Sequence, residues 1–291
     1  MRPWKLMNPL KWAFYTKLYK AHRAGKKFYS QYEHMEREVP FHPEMDVRLD
    51  VYSPATGRGH PVLIFVHGGR WKDFTKELFA PVAMKLLPEH IVVVIPDHTL
   101  HPHAQYEQMT HEISAALSWT LENIERYGGD PRRVVIAGHS SGGQLAGLAV
   151  MDLRFLQAFG HTSSEVCGVV GISGAYDLDG QYIFERSKGS DAPVMTAVMG
   201  RQENFSVASP INYVRPGLPP FLVIHGDADQ TIPLSQATDF HQALQRAKVR
   251  SELKIYPGRG HSEIFFSALE EESPQIVADI SGFVHSCTLP H

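Results

Sequence analysis

Ser140 lies in Gly138-His139-Ser140-Ser141-Gly142, between the apolar run Arg133-Val134-Val135-Ile136-Ala137 and the helix-forming Gln144-Leu145-Ala146-Gly147-Leu148-Ala149. A G-x-S-x-G pentapeptide between a strand and a helix puts glycines where side chains would collide. The serine can then occupy a strained turn with its hydroxyl exposed above a sheet. The same turn sets the Ser141 amide at a helix N-terminus, where unpaired N–H groups and the helix dipole favour an oxyanion. Upstream, Pro61-Val62-Leu63-Ile64-Phe65-Val66 reads as a buried strand running into His67-Gly68-Gly69-Arg70-Trp71. A glycine pair after a strand frees backbone amides to point into a site, as stabilisation of a tetrahedral oxyanion requires. Gly68, Gly69 and Ser141 are therefore the oxyanion-hole candidates, with the Arg70 amide a rival for one place.

Two further strands deliver the partners a serine needs. Pro220-Phe221-Leu222-Val223-Ile224 ends in His225-Gly226-Asp227-Ala228-Asp229, so its carboxylates fall at a strand's C-terminal end, where open α/β sheets place their chemistry. Glu252-Leu253-Lys254-Ile255-Tyr256 alternates like a strand and leads to Pro257-Gly258-Arg259-Gly260-His261. A free serine hydroxyl is a poor nucleophile near neutral pH. His261 would take its proton during attack and return it to the leaving group, while a carboxylate fixes the imidazole.

The elements that must position these residues follow from pattern. Strands are expected near 46–52, 61–66, 91–95, 133–138, 166–172, 220–225 and 251–256, and helices at 76–87, 105–127, 141–152, 234–248 and 274–286. Strands separated by helix-length segments predict an α/β fold, a mostly parallel central sheet with helices on both faces. The two opening strands, joined through Thr56-Gly57-Arg58-Gly59, are expected to pair antiparallel at one edge. Between Ile172 and Pro220 lies an irregular stretch, partly helical around Ala192 to Met199, short for a full lid. At 291 residues and 43% apolar, the chain can bury one large core.

The order Ser140, Asp229, His261, each after its own strand, is that of the α/β-hydrolases. Tyr127-Gly128-Gly129-Asp130-Pro131, Ile172-Ser173-Gly174-Ala175-Tyr176-Asp177-Leu178, and Ser209-Pro210 followed by Leu218-Pro219-Pro220 strengthen the likeness. From about Leu49 to Phe283 the chain resembles the serine carboxylesterase group of that superfamily. The group includes hormone-sensitive-lipase-like esterases, arylformamidases and prenylcysteine methylesterases. The resemblance implies an α/β-hydrolase fold and a carboxylic ester hydrolase acting through an acyl-enzyme, with Ser140, His261 and Asp229 as its triad and no cofactor. The group's pattern, an acid three residues after a glycine, selects Asp229 and leaves Asp227 to cap the turn or bond backbone.

A small or hydrophobic ester is the expected substrate, and formamides are the first rival, since arylformamidases share the H-G-G-x-W loop. Gly260-His261-Ser262-Glu263-Ile264-Phe265 looks closer to the prenylcysteine methylesterases. A binding protein that keeps the fold only as a pocket is the reading from a different class; such modules commonly lose the serine or histidine, and this chain retains every candidate. The relatives commonly carry a tyrosine and an arginine after the aspartate that is Asp97 here, where His98 and Thr99 stand instead. The run Asp97-His98-Thr99-Leu100-His101-Pro102-His103 reads as a polar loop, because metal ligands need defined spacing on rigid elements. No metal, cofactor or nucleic-acid partner is expected.

Residues 1–27 carry eight Lys or Arg and no Asp or Glu, against 20 basic and 31 acidic residues in the remainder. Asn8-Pro9 signals a helix start, and Met7, Leu10, Phe14 and Leu18 form a stripe flanked by Trp4, Trp12, Tyr15 and Tyr19. The expected organisation is a basic amphipathic segment, 1–35, followed by a catalytic domain, 36–291. The segment reads either as a cap over the site or as a contact with an anionic membrane surface. The first residues lack an apolar run of secretory length, and no stretch of about 20 apolar residues occurs, so export and membrane spanning are not expected. Cys167 and Cys287 form no disulfide framework, which fits a reducing, cytoplasmic compartment. Cys167 reads as a buried strand residue and Cys287 as an incidental tail residue.

Overall fold

The computed structural model describes residues 25–264 and 274–287, together with Thr16, Lys20 and Arg23. The stripe read between Met7 and Tyr19, and Phe265 after the histidine turn, lie outside the described residues.

Among the described residues eight strands form one sheet: β1 (Met35–Pro40), β2 (Arg48–Tyr52), β3 (His60–Val66), β4 (Val92–Pro96), β5 (Gly129–His139), β6 (Gly168–Ile172), β7 (Phe221–Gly226) and β8 (Ser251–Tyr256). Their order is β1-β2-β4-β3-β5-β6-β7-β8. Every pairing from β4 to β8 is parallel, whereas β1 with β2 and β2 with β4 are antiparallel. The chain has an α/β-hydrolase fold.

The central strands run apolar over 62–66, 92–95, 134–137, 168–172 and 221–224 because both of their faces are covered. In β3, Val62, Ile64 and Val66 join one buried cluster and Leu63 and Phe65 the other; in β4, Val92 and Val94 face one side, Val93 and Ile95 the other. On the first side lie α3 (Tyr106–Asn123), α4 (Ser141–Met151) and α8 (Leu234–Arg246). On the second lie α1 (residues 25–31), α2 (Ala80–Leu86) and α9 (Pro274–Ser286). Shorter helices are α5 (Leu153–Gln157), α6 (Leu178–Ser187) and α7 (Pro193–Met199), and residues 261–264 are also helical.

The expected pairing of the two opening strands is wrong. β4 lies between them, bonding β2 on one edge and β3 on the other. All five β4 residues are buried, so the strand needs neighbours on both edges, and the β3–α2–β4 unit, which brings β4 parallel to β3, supplies the slot. The loop from Ser53 to Gly59 then steps over a single strand, a span of about 10 Å. β1 escaped the sequence reading because Glu36-Arg37-Glu38 breaks apolar alternation, and the ladder to β2 has a bulge between Glu36 and Val39. A charged, bulged strand is how a sheet edge is protected from pairing with another chain. α6 also escaped it; Asp177 caps this helix by accepting from the Gly180 amide at 3.1 Å. Cys287 is no tail residue: it is buried with Cys167 in the second cluster, and both are free thiols.

α1 packs against the body. Its Tyr29 hydroxyl donates to Asp50 at 2.7 Å, the following Tyr32 hydroxyl donates to the Ser53 carbonyl at 2.5 Å, and Phe28 stacks on Tyr32 and Tyr52. None of the described helices is long and apolar enough to cross a membrane.

Candidate active site

Ser140 follows the last residue of β5 and precedes the first of α4, with φ 57° and ψ −123°. Such a backbone costs roughly 1–3 kcal/mol in a non-glycine residue and persists only where its surroundings enforce it. Here the enforcement is close packing of the turn. A Cβ on Gly138 would meet the Gly142 carbonyl oxygen at 2.3 Å, and one on Gly142 would meet the Val66 carbonyl oxygen at 2.2 Å. The Ser140 amide donates to the Ile172 carbonyl at 2.9 Å, fixing the turn to β6.

The sequence candidates converge at this turn. His261 lies between the other two: its Nδ1 is 2.7 Å from Asp229 Oδ2 and its Nε2 is 2.8 Å from Ser140 Oγ. An ionised carboxylate only accepts, so Nδ1 carries the proton and Nε2 accepts from the serine hydroxyl. Asp229 is 6% exposed, yet it stays below the usual carboxylate range. Burial opposes its ionisation, but the hydrogen bond and charge of His261 and the Thr231 and Ile232 amides outweigh it. Those amides donate to Oδ1 at 2.8 and 2.9 Å, leaving Oδ2 to the imidazole. Asp227 turns away and accepts from the Gly258 amide at 2.6 Å, holding the turn that leads to His261.

The glycine loop crosses directly over the nucleophile turn. A Cβ on Gly68 would stand 3.0 Å from the Ser140 Cβ and 2.8 Å from the His139 carbonyl oxygen. Gly69 has φ 130°, and a Cβ there would run into the Asp73 carbonyl oxygen at 2.0 Å. Arg70 and Trp71 follow with φ 56° and 61°, in the left-handed region that non-glycine residues rarely take. Ser141 heads α4, so its amide has no acceptor within the helix.

Sequence reasoning missed what anchors this loop. The Trp71 amide donates to Ser141 Oγ at 3.3 Å, its indole Nε1 donates to Gln144 Oε1 at 2.9 Å, and Gln144 Nε2 donates to the Ala208 carbonyl at 2.9 Å. The glycine loop, the first turn of α4 and the segment after α7 are thereby tied together. A tryptophan two residues past a glycine pair and a glutamine in the first turn of the helix were the available signal.

The loop after β4 is braced by the residues that replace the group's tyrosine and arginine. Thr99 donates to Glu112 from its amide at 2.6 Å and from Oγ1 at 2.7 Å. The His98 ring stacks on His67 with centroids 4.7 Å apart, and burial, with His67 beside it, pushes His98 down to about 3. Asp97 accepts from the Lys76 amide at 2.8 Å and from Lys76 Nζ at 3.0 Å. Among the described residues, no group of three or more His, Cys, Asp or Glu is placed to hold a metal ion.

The chain is 27% identical over 266 residues to the isoprenylcysteine alpha-carbonyl methylesterase ICME of Arabidopsis thaliana, covering 87% of this chain and 62% of that protein. It is 35% identical over 212 residues to the esterase LipC of Mycobacterium tuberculosis, covering 69% of this chain and 52% of that protein. It thus spans little more than half the length of these relatives. An esterase structure from Pyrobaculum calidifontis superposes with TM-score 0.75 at 22% identity over 93% of this chain and 92% of that one. The BD-FAE family model matches residues 49–244, a span that holds Gly68, Gly69, Ser140, Ser141 and Asp229 and stops before His261. With two thirds of its length matched, and with the histidine supplied by geometry beyond the matched span, the chain belongs to the BD-FAE family.

Proposed function

We propose that the chain is a serine carboxylic ester hydrolase. The observation that carries this reading is His261 bridging Asp229 at 2.7 Å and Ser140 at 2.8 Å, beside a serine held in a strained turn. Ser140 Oγ attacks the ester carbonyl while His261 Nε2 takes its proton. The imidazolium so formed is stabilised by Asp229 and returns the proton to the departing alkoxide. Water, activated by the same imidazole, then releases the acid from the acyl-enzyme. The amides of Gly68, Gly69 and Ser141 receive the oxyanion, each worth about 3–4 kcal/mol by the deletion of comparable donors.

A methyl ester of a lipid-bearing or otherwise hydrophobic carboxylate is the special case that the plant relatives favour, since the similarity to one isoprenylcysteine methylesterase covers 87% of the chain. The test is hydrolysis of p-nitrophenyl esters from acetate to decanoate, with a prenylcysteine methyl ester and an aryl formamide alongside and Ser140→Ala as control. Serine-dependent ester turnover supports the esterase, and the preferred acyl length separates a small pocket from a lipid-sized one. Turnover of the formamide alone replaces the reading with a formamidase. Silence across the series from a folded protein leaves a binding module.

A further inference from the structure

His139, the residue between Gly138 and the nucleophile, is nearly buried, and its ring centroid is 4.9 Å from that of His261. Its Nε2 lies 3.2 Å from the His261 main-chain carbonyl oxygen. A carbonyl accepts, so Nε2 carries the proton and the ring is a neutral donor. On its other side the ring lies under the glycine loop, with Nδ1 3.1 Å from where a Gly68 Cβ would be. One side chain therefore touches the loop that bears His261 and the loop that bears the oxyanion donors, and it is covalently next to Ser140.

We propose that His139 is a positioning residue for the ester hydrolysis inferred above: by donating from Nε2 to the His261 carbonyl it sets the reach of the His261 ring to Ser140 Oγ. The side chain of His261 is held between Ser140 and Asp229, and its main chain is held by His139. Burial is the first cause that keeps His139 neutral, pushing it down to about 3, and the neighbouring His261 acts in the same direction. The other titratable groups that face it are Asp229, which favours its protonation, and His225, which opposes it. The donor is thus in place, uncharged, across the pH range in which His261 must cycle. A charged ring there would repel the imidazolium that forms during attack.

Two amide substitutions isolate the reach. In His139→Gln the amide nitrogen falls near the place of Nε2, whereas in His139→Asn it falls near the place of Nδ1 and stops short of the His261 carbonyl. The measurements are kcat and KM for p-nitrophenyl acetate, with thermal melting of each variant. His139→Asn is expected to lose about 10- to 100-fold in kcat with KM within about twofold, the scale of an ångström-sized misplacement of a catalytic group. His139→Gln is expected to recover most of that loss at a melting temperature equal to that of His139→Asn. Equal kcat in the two folded variants, or wild-type kcat in His139→Asn, overturns the proposal. The parent reading is checked apart from it: fluorophosphonate labelling of the wild type that persists in Ser140→Ala refutes the esterase whatever the His139 variants do.

Discussion

Replacing Lys76 by methionine should destabilise the fold by about 3 kcal/mol, and it should do so increasingly as pH rises. The Lys76 side chain is only 2% exposed, and its ammonium faces Glu38, Asp97 at 3.0 Å, Glu77 at 3.5 Å and Asp50 at 3.9 Å. Glu38 and Glu77 are 60% and 43% exposed, so water and salt screen them and each contributes at most about 1 kcal/mol. Asp50 is fully buried and Asp97 is 22% exposed, so these two carboxylates carry the loss. Removing one partner of a buried ion pair costs about 3–5 kcal/mol. The low end applies because Asp50 also accepts from the Glu38 amide at 3.0 Å and the Tyr29 hydroxyl at 2.7 Å.

The pH dependence comes from Asp50. Burial already raises its pKa against the hydrogen bonds of Glu38 and Tyr29 and the charge of Lys76. Without the lysine the carboxyl rises further and takes up a proton in the folded state. A native state that binds more protons than the unfolded chain loses stability as pH rises, from the unfolded carboxyl value of about 3.9 up to the folded one. The assay is urea unfolding of wild type and Lys76→Met at pH 5 and pH 8. With a slope of about 3 kcal/mol per molar, the midpoint should fall by about 1 M at pH 8 and by less at pH 5. A fall below about 0.3 M at pH 8, or a larger fall at pH 5 than at pH 8, refutes the reasoning.

Of the two neighbouring carboxylates, Asp229→Asn should lower kcat about 10³- to 10⁴-fold, because an amide cannot hold the Nδ1–H tautomer, while Asp227→Asn should cost less than about tenfold; steady-state ester kinetics distinguish them. The depressed folded pKa of Asp229 contributes stability that is present above the unfolded carboxyl value and is lost as pH falls through the folded one, so urea midpoints of Asp229→Asn should drop less between pH 5 and pH 3 than those of the wild type. The basic segment of residues 1–27 reads equally as a cap over the site and as a contact with an anionic membrane surface, and vesicle binding separates the two. Co-sedimentation that depends on phosphatidylserine, weakens in high salt and disappears when those residues are removed supports the membrane contact, and binding unchanged by their removal rejects it.

The residues that could react were legible because their chemistry demands visible sequence. A serine in a strained turn needs Gly138 and Gly142, since Cβ atoms there would collide with backbone oxygens. The loop after β3 needs Gly69 at φ 130°, where a Cβ would meet the Asp73 carbonyl oxygen at 2.0 Å. Strands buried on both faces show as apolar runs, which is why β3 to β7 stood out. What holds those residues in place was not legible, because each restraint joins elements distant in the chain. Gln144 meets Trp71 across 73 positions, and His139 meets the His261 carbonyl across 122. β1 was invisible because a protected edge strand is charged, and the opening pairing was misjudged because a short loop favours a hairpin only when no third strand needs the space.

The replacement of the group's tyrosine and arginine by His98 and Thr99 follows the same logic. His67 begins the glycine loop, and Asp97 Oδ1 stands 3.7 Å from its Nε2. An arginine would carry a second charge to this place, but Lys76 already supplies one to Asp97 from within the chain's own buried cluster. The position after Asp97 is then free to hold a flat neutral ring, and His98 stacks on His67 with the rings inclined by 16°. Two charged imidazoles at 4.7 Å would repel, so the stack requires neutral rings, and burial keeps both depressed. Thr99 closes the remaining gap by giving both its amide and its hydroxyl to Glu112 on α3. The positive φ of Trp71 is held by the Trp71–Gln144 pair and by the His101 amide, which donates to the Trp71 carbonyl at 2.9 Å, so strain in this loop is balanced by contacts that lie outside the reacting groups.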